Sequence, residues 1–293
     1  MIYSIFNDAL SVRVDSFGAQ LRSVLSKDGT EYLWQGDERY WPDSSPVLFP
    51  YIARLYNNSY SYCGEVYNMS IHGFAAQCEF VTESQRSDSI TMLLRENGET
   101  LSCYPFRFEL RITYSLSGNS LRVKYRVNNR DERLIPFALG GHPGFNVPFA
   151  PMTEFEDYYL RFEDNCSPLR VGFTDELFLS GEDRPYQLEN GNTIRLSHEL
   201  FDEDAIILRG VSKSVTLGCD KTEKSLTISF PGFDFFGIWH TPRTDAPYVC
   251  LEPWTSLPSR QGVVEELSEK NDMIMLEAGQ EYENEWLLSI SEG

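Results

Sequence analysis

Only four histidines occur in the chain, so each can be weighed for proton-transfer chemistry. His72 stands in Ser70-Ile71-His72-Gly73-Phe74 and His142 in Gly140-Gly141-His142-Pro143-Gly144-Phe145-Asn146. Both lie beside glycines at the ends of expected strands, where the backbone can bend sharply and leave room for a ligand against the imidazole. The plainer alternative is a histidine hydrogen-bonded within a turn. His198, in Leu196-Ser197-His198-Glu199, lacks such a setting and reads as a surface residue, while His240, after Trp239, reads as loop packing. Glu252 occupies Tyr248-Val249-Cys250-Leu251-Glu252-Pro253-Trp254, a carboxylate at the end of an apolar strand. A carboxylate there either finds a cation, with Arg54 and Arg243 as candidates, or has its pKa raised toward neutrality, which suits a general base. Arg54, inside Phe49-Pro50-Tyr51-Ile52-Ala53-Arg54-Leu55, is expected to face a cleft or a carboxylate.

Acid and base chemistry without a cofactor is what these residue types offer. His72, His142, Arg54 and Glu252 lack the i, i+2 or i, i+4 spacing of metal ligands, so no metal site is expected. The six cysteines, at 63, 78, 103, 166, 219 and 250, contain no C-x-x-C pair that would suggest a zinc or redox motif. No G-x-S-x-G elbow, P-loop or G-x-G-x-x-G opens a helix. The start, Met1 to Asp8, has no basic region before an apolar run and does not read as a secretory signal, so reduced thiols and a cytoplasmic protein are expected.

Charge narrows the partners. With 25 basic and 44 acidic side chains the formal net charge is −19, a surface that repels polyanions, so nucleic acid is not an expected partner. No run approaches the roughly 18 to 20 apolar residues of a membrane-spanning helix, so no membrane partner is expected either. A small molecule remains, bound by a monomer or homodimer. The 40 aromatic residues supply the core and leave some to stack against the C–H face of a sugar.

The elements that must position these residues are strands. Phe106 to Leu116 alternates apolar and polar residues at every step, Ser117-Gly118-Asn119-Ser120 follows, and Leu121 to Val127 alternates again, predicting a long antiparallel hairpin. Further strand signals are Val12 to Val14, Tyr60 to Tyr67 around Cys63-Gly64, Ile90 to Leu94 before Asn97-Gly98, Thr193 to Leu196, Ile206 to Leu208, Ser214 to Leu217, Leu226 to Phe230, Met273 to Leu276 and Tyr282 to Ile290. Short helices are expected at Thr174 to Leu179, where Thr174 caps, and at Gly262 to Leu267. The expected fold class is all-β, a large antiparallel β-sandwich with a few short helices, as one domain over residues 1–293. The irregular stretches Asp37 to Pro50 and Trp239 to Pro247, rich in aromatic residues and proline, are where function is expected on such a scaffold.

The order Leu48-Phe49-Pro50, Ala53-Arg54-Leu55, Ile71-His72-Gly73-Phe74, Gly141-His142-Pro143-Gly144-Phe145-Asn146 and Leu251-Glu252-Pro253-Trp254 resembles the aldose 1-epimerase (galactose mutarotase-like) family, and within it the LacX-like branch. Phe17 to Leu21 and Glu31 to Gly36 extend the likeness over most of the chain. The resemblance implies a β-sandwich with a sugar cleft across one sheet, and a cofactor-free mutarotase that interconverts α and β anomers of an aldohexose. It implies Glu252 as catalytic base, His142 as catalytic acid, and His72, Arg54 and Asp204 as sugar-binding residues. Ala53 stands where galactose mutarotases proper usually carry Asn, and Ala75-Ala76-Gln77 replaces the basic residue frequent in LacX-like relatives, departures that bear on sugar preference more than on the reaction. A hexose-6-phosphate mutarotase would instead need convergent cations, with Arg54, Arg243 and Arg260 as candidates. A non-catalytic sugar-binding or sensor protein would need neither a tuned acid nor a tuned base.

Overall fold

Alternation becomes structure most clearly in the paired strands Phe108–Ser117 and Ser120–Asn129 of the computed structural model, which describes residues 1–292. Leu110, Ile112, Tyr114 and Leu116 point inward with Leu121, Val123, Tyr125 and Val127, while polar residues between them face outward. Gly118, at φ 55°, makes the turn. The strand Glu281–Ser291 pairs along the other side of Ser120–Asn129 and adds Trp286, Leu288 and Ile290 to the same face.

Within the described residues these strands form the centre of a nine-stranded antiparallel sheet that runs from Thr193–Arg195 to Val81–Gln85. A second antiparallel sheet places Ile206–Arg209, Phe235–Trp239, Tyr248–Trp254, Gly140–Gly141 and Val47–Leu48 side by side, with Gly144–Asn146 also paired to Tyr248–Trp254. The inner faces of both sheets meet in one continuous core that holds Leu110, Val123 and Trp286 from the first and Phe236, Ile238, Val249 and Leu251 from the second. The fold is an all-β sandwich of antiparallel sheets, with a third small sheet from Ile2–Phe6, Leu10–Asp15 and Leu21–Ser26.

Two sheets packed this closely constrain the residues between them. A Cβ on Gly141 would lie 3.1 Å from both the Trp286 indole nitrogen and the Tyr125 hydroxyl, themselves hydrogen-bonded at 2.9 Å across the first sheet. The small residue lets the strand carrying His142 settle onto that pair.

Both expected helices are corrected. Thr174 to Leu179 is a turn closed by a bridge between Phe173 and Leu179, with Leu177 at φ 64°, a left-handed residue that no α-helix contains. Thr174 does cap that turn, since its carbonyl and hydroxyl accept the Leu177 and Phe178 amides. Gly262 to Leu267 is also irregular: Gly262 has φ 76°, and Glu265 is held by Arg260 rather than by a helical turn. Among the described residues the one α-helix is Gly98–Cys103, where Asn97 accepts the Glu99 and Thr100 amides at 2.9 and 3.0 Å. The Asn97-Gly98 signal marks a helix start as well as the end of the preceding strand. Among the described residues no helix is long and apolar enough to cross a membrane.

Candidate active site

The strand Tyr248–Trp254 carries the central residue of the site, and every one of its side chains is buried. Val249 and Leu251 enter the core, whereas Cys250, Glu252 and Trp254 face the opposite side, as alternation dictates. Opposite Glu252 the neighbouring strand presents Gly237, and Ile207 follows in the next, so one row across the sheet reads Ile207, Gly237, Glu252. A Cβ at Gly237 would stand 3.1 Å from Glu252 Cβ and 3.1 Å from Ile207 Cδ1, so the row leaves no slack for a third side chain between those two.

Over this row lies a cleft of about 370 Å³ lined by all five residues expected from sequence: Arg54, His72, His142, Asp204 and Glu252. They come from five separate segments of the chain, gathered over the second sheet. His142 follows the Gly140–Gly141 strand, and its amide donates to the Pro46 carbonyl at 3.1 Å, so the expected functional loop Asp37 to Pro50 fixes it from one side. Trp41 from that loop lies tilted against the imidazole at 4.9 Å, and Trp239 meets it edge-on at 5.6 Å. With Trp254, which meets the His72 ring at 6.1 Å, these indoles give the cleft its apolar walls.

His142 Nε2 stands 3.3 Å from Glu252 Oε2. Neither Glu252 Oε2 nor His142 Nδ1 has a hydrogen-bond partner, although both atoms are buried. Burial holds the Glu252 carboxyl well above the ordinary carboxylate range; the Trp254 N–H opposes this and the Asp204 charge adds to it. Burial, reinforced by His72, pushes the His142 imidazole well below its usual value. Burial thus disfavours the charged form of both groups. One proton divided between two groups 3.3 Å apart can be delivered to one atom of a ligand while another atom gives one up, which is concerted acid and base chemistry.

His72 is set by a reciprocal contact with Ala53. The His72 amide donates to the Ala53 carbonyl at 3.1 Å, and His72 Nδ1 accepts the Ala53 amide at 3.1 Å. An accepting Nδ1 leaves Nε2 as the protonated nitrogen, a donor directed at the cleft. Burial and then Arg54 lower the His72 pKa to about 4. Arg54 itself is exposed on the rim and, among the described residues, makes no salt bridge. The Glu252 carboxylate finds neither Arg54 nor Arg243, which resolves the choice left open by sequence in favour of a raised pKa. Asp204 sits half-buried at one end of the cleft in a left-handed conformation, φ 80°.

Other residues of the site were not singled out from sequence. Cys250 joins His142 and Glu252 in a group whose ligand atoms all lie within 4.8 Å of one another, a set able to supply three metal ligands. Cys250 and Glu252 stand at i, i+2 on one strand face, a spacing that becomes visible once the cysteine is counted with the histidines. Ala76 and Gln77, from the departure noted after the His-Gly-Phe motif, also line the cleft. His198 departs from its expected surface role: it is half-buried, stacks on Phe155 at 4.1 Å and lies 3.1 Å from His240 Nε2. His240 is fully buried in that cluster, as loop packing requires.

Comparison with known proteins places this geometry in context. A family model described as aldose 1-epimerase matches residues 1–289. The plasmid and chromosomal LacX proteins of Lactococcus lactis subsp. lactis are each 36% identical over 266 residues, covering 88% of this chain and 88% of theirs. A galactose mutarotase related enzyme from Lactobacillus acidophilus superposes with a TM-score of 0.94 at 33% identity, over 99% of this chain and 97% of its own. A galactose mutarotase-like protein from Lactobacillus casei ATCC 334 gives 0.94 at 31% identity, over 99% and 100%.

Proposed function

The chain belongs to the aldose 1-epimerase family, and on that premise we propose that it interconverts the α and β anomers of a free aldohexose without a cofactor. The observation that carries the reading is the 3.3 Å approach of His142 Nε2 to Glu252 Oε2 inside a sugar-sized cleft. The reaction needs the pair to carry one proton between its two groups. With the proton on His142 the carboxylate is free to accept the C1 hydroxyl proton. The C1–O5 bond then breaks, O5 takes the imidazolium proton, and an open-chain aldehyde forms. Rotation about C1–C2 and the reverse transfers close the ring on the other face, returning each proton to its origin. His72 Nε2–H donates to a ring or hydroxyl oxygen, and Arg54 and Asp204 hold hydroxyls at the two ends of the cleft. The reading takes the chain as one domain.

A hexose 6-phosphate is the second reading, favoured by the unpaired guanidinium of Arg54 on the rim. Of the other cations that were candidates, Arg260 is held by Glu265 through contacts of 2.9 and 2.8 Å, and Arg243 lines a neighbouring cavity. Proton NMR exchange between the anomeric signals of glucose, galactose and glucose 6-phosphate, with catalytic amounts of protein, tests both. Faster exchange for a free sugar supports the mutarotase, and acceleration for the phosphate alone supports the second reading. Saturable binding without acceleration of any of them leaves a sugar-binding protein.

A further inference from the structure

A second cavity, of about 590 Å³, adjoins the catalytic cleft. Phe173, Leu177, Asp204 and Ala205 line both, so the two cavities share four residues at their boundary. The polar lining of the second cavity carries both signs of charge. Arg170, Arg184 and Arg243 face it together with Asp175, Asp202 and Glu203, and Asp204 stands at the boundary. Only one pair among these charges meets, and at long range. Among the described residues Arg184 and Arg243 make no salt bridge, and Arg170 reaches only the exposed Glu203, at 3.9 Å. Other arginines of this acidic chain are tied to carboxylates more closely, as Arg111 is to Glu83 and Glu109 and Arg126 to Glu283.

Unpaired donors and acceptors around one cavity specify the chemistry of an occupant. A phosphate would gain from three guanidiniums and be repelled by four carboxylates, so the charges largely cancel for an anion. A neutral polyhydroxylated ligand uses both sets, since each hydroxyl donates to a carboxylate and accepts from a guanidinium. Phe173, at the boundary, is an aromatic ring of the kind that stacks on the C–H side of a sugar. We propose that the second cavity is a glycosyl subsite and that the preferred substrate is a reducing disaccharide. Its reducing ring lies at Glu252 and His142, and its second ring lies among Arg170, Arg184, Arg243 and the facing carboxylates. This rests on the anomerase reading and extends it from a substrate of one ring to a substrate of two.

The test compares kcat/KM for anomeric exchange of glucose with that of lactose, maltose and cellobiose, all of which have glucose as the reducing ring, and with glucose 6-phosphate. At least one disaccharide is expected to exceed glucose by about tenfold, and a double variant Arg184→Ala, Arg243→Ala to bring that ratio down toward one. Efficient exchange of glucose with no disaccharide above it overturns the subsite and leaves the mutarotase standing. A ratio unmoved by the double variant overturns it as well, as does glucose 6-phosphate ranking first with its advantage lost in that variant. Exchange of none of these sugars removes the subsite together with the reading it rests on.

Discussion

Glu252 and His142 face each other at 3.3 Å with buried polar atoms that no other side chain satisfies. Two such groups are unfavourable to hold in a folded protein unless a ligand completes them, which makes their removal informative. Glu252→Gln keeps the size and the hydrogen-bonding capacity of the side chain but cannot accept the proton. Anomeric exchange is expected to fall by about 10² to 10⁴-fold while sugar affinity stays within a few-fold. Near wild-type exchange in that variant removes Glu252 from the base role.

The pH dependence of stability carries the sign of the buried histidines. In the folded chain desolvation of the half-buried His72, and then Arg54, lower its pKa to about 4, against 6.5 in an unfolded one. Between those values the unfolded state binds a proton that the folded state does not. Its contribution is intact above pH 6.5 and is lost as pH falls toward 4, at up to ~1.4 kcal/mol per pH unit. His240, also lowered to about 4, acts in the same direction. His72→Asn, whose amide oxygen can still accept the Ala53 N–H, is expected to flatten the dependence by about one proton. Urea denaturation at pH 4.5, 5.5 and 6.5 measures it, and equal slopes for variant and wild type would show that His72 is not held neutral by the fold.

Ala53 holds φ 57°, a left-handed conformation that strains any residue with a Cβ. Both of its backbone groups are committed to His72, so the conformation follows from the reciprocal contact. Ala53→Gly relieves the Cβ clash and keeps both hydrogen bonds, at the cost of a more flexible unfolded chain. The balance is expected to be stabilising by ~0.5–1 kcal/mol, visible as a rise of about 2 °C in thermal denaturation. A lowered melting temperature would mean that the Ala53 methyl contributes packing greater than the strain.

The strands were legible because each faces two environments and therefore alternates, as in Phe108–Ser117. The site was legible where a residue type violated its surroundings: a carboxylate in an apolar strand, histidines beside glycines, an arginine in an apolar run. Cys250 violated nothing, since a cysteine is at home in a buried strand, and so the cluster it makes with His142 and Glu252 was hidden. The helix expected at Thr174 to Leu179 failed because a capping residue and an acidic first turn suit a tight turn as well as a helix. Leu177 in its left-handed conformation decides between them, and leucine gives no warning of that; at Gly262 to Leu267 it is the left-handed Gly262 that decides. The second cavity was invisible for a different reason: its charged residues lie in loops and short strands far apart in sequence, each indistinguishable from a solvated surface.

Glycines near the site divide into those that protect a backbone and those that protect a side chain. A Cβ on Gly73 would fall 2.2 Å from the Phe49 carbonyl, at φ 79°, so Gly73→Ala must break the bridge that brings His72 to the cleft. That variant is expected to lose more than about 2 kcal/mol of stability. Gly237 differs, because its added methyl would press at 3.1 Å on Glu252 Cβ and on the movable end of Ile207. Gly237→Ala is therefore expected to fold and to displace the carboxyl from His142 by a few tenths of an ångström. Proton transfer is steep in such displacements, so kcat should fall about tenfold or more while KM changes little. A fall in KM affinity at unchanged kcat would mean that Gly237 makes room for the sugar rather than for the placement of Glu252.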